Sequence, residues 1–206
     1  MKVVIIDYGA GNIQSLKFAF QRFGIEAELS KNPEVVSSAD RVIFPGVGEA
    51  SSAMLKLKET GLDRLIPELT QPVLGICLGM QLMCEHSDEG NTRGLAIFKD
   101  PVVRFDNALK VPQIGWNQIE ELQSPLFRGV PEKSYMYLVH SYYVPVSDHA
   151  IARCLYGDWY ASALRYKNFY GTQFHPEKSG ETGQLILENF IRTKTEELIY
   201  ENNTGN

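Results

Sequence analysis

No stretch of this chain reaches the roughly 18 consecutive apolar residues of a membrane span, and only four apolar residues, Val3 to Ile6, separate Lys2 from Asp7. That run is too short for the apolar region of a secretory signal, so the chain is expected to be soluble and cytoplasmic, with no membrane partner. Cysteine is scarce: Cys77, Cys84 and Cys154 are an odd, widely spaced three with no CxxC pair, which excludes a disulfide framework and predicts reduced thiols. Basic excess is lacking too. Twenty Lys and Arg stand against 25 Asp and Glu, a net charge of -5, so no broad positive field draws nucleic acid or anionic lipid. No HxxxH, CxxC or clustered-carboxylate spacing predicts a metal site. The stretch Gly9-Ala-Gly11-Asn12 lacks the third glycine of a dinucleotide fingerprint, no GxxxxGK[ST] is present, and no cofactor is expected. Repeats, low-complexity tracts and linkers are absent, which with 206 residues points to one domain spanning 1–206, its last six residues a frayed tail.

What is present is an alternation of strand and helix signals. Residues 2–7, 41–44 and 72–76 are short apolar runs with the character of buried parallel strands. Between them, Ile13, Leu16, Phe20 and Phe23 recur at helical spacing up to Gly24, and residues 49–69 are helical in pattern with an interruption near Gly61. Residues 78–85 restart as a helix, and 180–200 form a final one with Ile186, Leu187, Phe190 and Ile191 on its buried side. From 101 to 174 the chain changes to short aromatic and β-branched runs, and 135–146 and 161–174 read as antiparallel hairpins. The expected fold is α/β: a flavodoxin-like open sheet, mostly parallel, helices on both faces, with antiparallel strands added in the second half. Functional groups in such sheets collect beyond the carboxyl ends of the strands. Gly9–Gly11, Pro45–Gly48 and Cys77 all lie there.

The sharpest local pattern is Gly75-Ile-Cys77-Leu-Gly79, a nucleophile flanked by glycines between a buried strand and a helix. The glycines allow a sharp turn, the positive end of the helix favours a thiolate, and the Leu78 N–H can face an oxyanion formed beside the sulfur. Cys84 and Cys154 read as small buried thiols. Of four histidines, His86 and His149 read as exposed, and His140 as a partly buried or pocket-lining residue. His175 differs. It follows a strand-like run, Pro176 disfavours a helical conformation for it, and Glu177 two positions on can face the same side. Cys77, His175 and Glu177 thus make a credible nucleophile, base and orienting carboxylate. In Pro45-Gly46-Val47-Gly48, glycines on both sides of Val47 permit its peptide to rotate and offer a second oxyanion N–H; the plainer reading is a permissive strand-to-helix turn.

Pro45-Gly-Val-Gly48, Gly75-Ile-Cys-Leu-Gly-Met-Gln81 and Gln173-Phe-His-Pro-Glu-Lys178 together closely resemble a class I (triad) glutamine amidotransferase. Gly115-Trp-Asn117 and Val139-His-Ser-Tyr142 narrow the likeness to the branch of glutaminase subunits that serve imidazole glycerol phosphate synthase. The resemblance implies that Cys77 attacks the glutamine side-chain amide, the Val47 and Leu78 amides hold the oxyanion, and His175, oriented by Glu177, moves the protons. It also implies that Gly48, Gln81, Glu89, Ser141 and Tyr142 hold glutamine, and that Asn12, Trp116 and Lys178 face a β/α-barrel synthase subunit in a heterodimer. Without the motif, Gln81 and Glu89 read as ordinary polar surface, and a core position for Trp116 rivals an interface one. At Gln113-Ile114 many members have His-Met. That departure is expected on the partner face, and it leaves open a paralogue feeding ammonia to another acceptor, such as a sugar-nucleotide pathway. A cysteine protease and a catalytically silent binding protein are the readings from other classes.

Overall fold

All four residues of β1 (Val3–Ile6) are buried, so this strand lies inside a sheet covered on both faces. In the computed structural model, which describes residues 1–9 and 13–199, α1 (Ile13–Gln21), β2 (Glu28–Ser30) and α2 (Pro33–Ser37) follow, then β3 (Arg41–Gly46), α3 (Ala50–Thr60), α4 (Leu62–Leu65) and β4 (Val73–Cys77). The next elements are α5 (Leu78–Leu82), β5 (His86–Ser87), β6 (Thr92–Arg93), β7 (Pro101–Arg104), β8 (Gln113–Glu120) and β9 (Ser134–His140). The chain continues through β10 (Tyr142–Pro145), β11 (Ala150–Tyr156), β12 (Asp158–Tyr166), β13 (Phe169–Thr172), α6 (Gly180–Arg192) and α7 (Thr195–Leu198).

The strands β2, β1, β3, β4 and β13 lie side by side, every neighbouring pair parallel. Alternation sorts the side chains of this core: Val3 and Ile5 pack with Leu16, Phe20, Ile186 and Phe190 of α1 and α6, while Val4 and Ile6 pack with Ala53, Leu57, Leu62 and Met80 of α3, α4 and α5. Both faces are therefore helix-covered, as a parallel sheet requires. Antiparallel strands extend it: β12 pairs with β13, β10 with β12 and β7 with β10, and a ribbon β11-β8-β9 branches from β12.

Three expected elements differ in detail. Residues 135–146 do not form a hairpin: β9 pairs with β8 and β10 with β12 and β7, so the chain crosses between two parts of the sheet at Ser141. The hairpin within 161–174 does form, as β12 and β13. The helix expected over 78–85 stops at Leu82, and Met83 and Cys84 lie beyond it. The carbonyls of Leu82, Met83 and Cys84 accept from Leu95, Ile97, Phe98 and Ala96, so the returning loop supplies the donors that another helical turn would have used. The last helix breaks at Thr193. There the buried Arg41 guanidinium donates to the carbonyls of Phe190 and Thr193 and to the Thr195 hydroxyl, capping α6. The tail expected from 201 to 206 lies outside the described residues. Among the described residues no helix is long and apolar enough to cross a membrane.

Candidate active site

Register brings the site together. Gly46 ends β3 directly beside Cys77 at the end of β4, and Thr172 of β13 lies beside Ile76. Continuing that parallel register sets Gln173 alongside Cys77, with His175 two residues further on. Three adjacent strand ends thus carry the glycine loop, the thiol and the imidazole.

Cys77 sits in the sharp turn its flanking glycines predict, with φ 53° and ψ −111°. This is a conformation that non-glycine residues rarely hold, costing about 1–3 kcal/mol. The turn is possible because Gly79 lies against β3: a Cβ there would collide with the Phe44 carbonyl. Gly79→Ala is accordingly expected to destabilise the fold by about 1–3 kcal/mol or more, read as a lower urea midpoint; an unchanged midpoint would show that the elbow opens freely. With only five residues, α5 offers little macrodipole, so the support expected from it for a thiolate reduces to its first N–H groups, among them that of Leu78.

The side chains of His175 and Glu177 are each 2% exposed, and Nδ1 meets Glu177 Oε1 at 2.8 Å. Nε2 makes no well-formed hydrogen bond among the described residues, leaving that edge of the ring to Cys77 and to whatever enters. Burial disfavours the imidazolium, but the neighbouring Cys77 sulfur and the Glu177 carboxylate outweigh it and raise the pKa of His175 to about 10. Burial lifts Cys154 to about 11 and Cys84 well above its ordinary value, so both stay protonated, as small core thiols should.

A cavity of about 300 Å³ opens over Cys77, lined by Val47, Gly48, Leu78, Gln81, Glu89, Ser141, Tyr142 and His175 together with Pro112, Val139 and His140. Every residue expected to form the oxyanion hole or hold glutamine is on this wall, and Glu177 stands behind His175. Gly48 has φ +97°, the left-handed region that a glycine adopts readily. A larger hollow of about 820 Å³, lined by Leu69, Lys99, His149 and Tyr166 among others, holds no thiol. Its imidazole is paired with Asp100 at 2.8 Å, so His149 is a half-buried structural partner and not the exposed residue expected. The smaller cavity is the one that brings a thiol and an imidazole onto one wall.

Residues 4–193 match the family Glutamine amidotransferase class-I. The chain belongs to that family. Among relatives of similar length, imidazole glycerol phosphate synthase subunit HisH of Bacteroides fragilis (strain YCH46) is 55% identical over 194 residues, 93% of this chain and 99% of that one. The protein of the same name from Haemophilus influenzae (strain ATCC 51907) is 46% identical over 193 residues, 93% of this chain and 97% of that one. Two solved structures share the fold, both from Thermotoga maritima: PurLQS (TM-score 0.71, 15% identity, covering 92% of this chain and 97% of that one) and a glutamine amidotransferase (TM-score 0.61, 20% identity, covering 93% and 82%).

Several groups of this amidotransferase's site escaped the sequence reading. Tyr8, buried at the end of β1, donates to the Pro45 carbonyl at 2.9 Å and anchors the stem of the Gly-Val-Gly loop. The Val139 carbonyl lies 3.9 Å from Cys77 Sγ, Gln173 Nε2 3.7 Å from it. Gln81 is 5% exposed and lines the cavity, so the surface reading fails for it. Glu89 accepts from the Ala50 N–H at 2.9 Å, and burial raises its pKa. Trp116 is 55% exposed, which overturns a core role; its ring meets Tyr137 edge-on at 6.1 Å, and Lys178 Nζ lies 5.8 Å from that same tyrosine. Ile114 is 62% exposed beside it, but Gln113 is buried and accepts from the Tyr160 hydroxyl at 3.0 Å. Only half of the Gln113-Ile114 departure therefore bears on an outer face. Asn12 lies outside the described residues.

Proposed function

We propose that this amidotransferase hydrolyses glutamine to glutamate and ammonia through Cys77, His175 and Glu177. The ammonia passes to a β/α-barrel synthase subunit that makes imidazole glycerol phosphate and AICAR in histidine biosynthesis. The observation that carries the proposal is the single small cavity in which a strained, glycine-flanked thiol faces an imidazole held by a buried carboxylate.

In this reading Cys77 sulfur adds to the side-chain carbonyl carbon of glutamine, and the new oxyanion is met by the N–H groups of Val47 and Leu78. His175, cationic beside the thiolate, gives its Nε2 proton to the departing nitrogen, and the C–N bond breaks to release ammonia and leave a γ-glutamyl thioester. The now neutral imidazole takes a proton from water, whose oxygen attacks the thioester; the C–S bond breaks and glutamate leaves. Glu177 keeps Nδ1 protonated throughout. Gly48, Gln81, Glu89, Ser141 and Tyr142 hold the substrate, and a half-buried carboxylate at Glu89 suits an ammonium group. Residues 1–206 act as one amidotransferase domain, in the cytoplasm.

Trp116, Tyr137, Ile114 and Lys178 support a partner face, because large apolar groups clustered on a surface mark association sites. The face adjoins the chemistry: the Tyr137 carbonyl accepts from the His175 N–H at 2.9 Å. We expect Trp116→Ala to weaken binding to the barrel partner about 30-fold or more, the loss typical of a buried aromatic anchor, with glutaminase activity of the free chain unchanged. Titration calorimetry checks it, and an unaltered Kd would remove Trp116 from the interface. The proposal as a whole is tested by mixing the chain with a barrel partner from the same source and following glutamine-dependent imidazole glycerol phosphate formation. Glutamine turnover without that product would leave the hydrolysis and overturn the acceptor.

A further inference from the structure

Gln173 is fully buried, yet its side-chain amide ends at the reacting sulfur. Its orientation follows from a chain of contacts that begins at a backbone carbonyl. The Tyr142 carbonyl can only accept, so the Gln81 atom 2.8 Å away is the amide nitrogen. The same carbonyl takes a second bond, at 2.8 Å, from His140 Nδ1, which must then carry a hydrogen. Gln81 spends its other N–H on Gln173 at 2.9 Å, so Gln173 presents its oxygen there and turns its own NH₂ toward Cys77 Sγ at 3.7 Å. Two consequences follow. The Gln81 nitrogen is fully engaged, which leaves its Oε1 as the group free to meet a ligand. The sulfur has an N–H donor on one side and the Val139 carbonyl on the other, so ionisation strengthens the first contact and removes the second.

We propose that Gln173 is a positioning residue for glutamine hydrolysis: it favours the ionised sulfur of Cys77 by donating to it, and together with the Tyr142 carbonyl it holds the amide of Gln81 with its oxygen toward the substrate. The inference rests on Cys77 being the nucleophile. An apolar side chain of similar length removes the donor at sulfur and one of the two acceptors that hold the Gln81 amide, whereas Gln173→Glu keeps both acceptors for Gln81 and replaces the donor at sulfur with a charge of the wrong sign.

The test is the pH dependence of Cys77 alkylation by iodoacetamide in the full chain, followed by mass spectrometry, alongside kcat and KM for glutamine. The other titratable groups near the sulfur, His175 with Glu177 behind it, Tyr8 and Tyr160, are the same in every variant. Losing a hydrogen bond to a charged group should move the alkylation midpoint of Gln173→Leu up by about one pH unit and lower kcat about tenfold. Gln173→Glu should move the midpoint further, with a smaller rise in KM than Gln173→Leu because Gln81 stays oriented. It also carries the test if Gln173→Leu does not fold. A merely structural glutamine would lower Tm and leave the midpoint alone; that result in either folded variant overturns the inference. If instead the wild-type chain is not labelled at Cys77, the nucleophile reading itself fails.

Discussion

Cys77→Ala is expected to lower glutamine hydrolysis by about 10⁴- to 10⁶-fold, the loss seen when the nucleophile of a coupled triad is deleted. The thiol is the group in the cavity coupled to the His175 imidazole, the pairing that forms and then releases an acyl bond, and Cys84 and Cys154 cannot replace it, since burial holds both protonated and neither lines the cavity. Binding of the barrel partner should survive, because Trp116 and Lys178 belong to a different surface. Glutamate formation with a coupled dehydrogenase checks the first part and calorimetry the second. Residual hydrolysis within tenfold of wild type would remove Cys77 from the mechanism.

Glu177→Gln should cost on the order of 10²–10⁴-fold in kcat, as when the orienting carboxylate of a triad loses its charge. Its carboxylate is one of the two supports that raise His175 against the effect of burial. Without it the cation is less stable, the thiolate loses its counter-ion, and the ring is no longer held with hydrogen on Nδ1. The same loss appears in stability, with a definite sign. A histidine raised from 6.5 to about 10 favours the folded state fully below pH 6.5, and that contribution fades as pH climbs through about 10. The stability gap between wild type and Glu177→Gln, measured by urea denaturation, should be widest below pH 6.5 and close toward pH 10. A gap that widens in alkali would contradict the assignment.

Three strands of the parallel core, β1, β3 and β4, were legible in the sequence because each is a local apolar run that ends at a turn; β2, Glu-Leu-Ser at the sheet edge, carries no such run, and β13 read only as half of the hairpin it makes with β12. Cys77, His175 and Glu177 were legible for a related reason: an elbow and a His-Pro-Glu turn are short-range patterns, decided within five residues. What escaped depends on distant pairing. Nothing in Tyr135–Val146 signals that β9 and β10 part company at Ser141, since both are ordinary aromatic strands; their partners, β8 on one side and β7 and β12 on the other, decide it. That crossover brings the carbonyls of Val139 and Tyr142 to the sulfur and to Gln81. Gln173 was quoted within a motif without a role, because its neighbours Cys77 and Gln81 lie 96 and 92 residues away. A polar residue directly after the run Phe169–Thr172 and before Phe174 was the available signal. Trp116 shows the reverse problem. Tryptophan in a strand is usually core, and only the register of β8 with β9, which turns Ile119, Met136 and Leu138 inward, leaves it on the ribbon's outer face.

The most direct measurement of the central claim uses a glutamine analogue bearing a diazoketone in place of the side-chain amide, which alkylates an attacking thiolate with loss of nitrogen. Incubation with the full chain followed by peptide mass spectrometry should find one equivalent of label, all of it on Cys77, with labelling slowed when Glu177 is replaced by glutamine and prevented by excess glutamine. Label on Cys84 or Cys154, or none on Cys77 while glutamine is still being hydrolysed, would contradict the account.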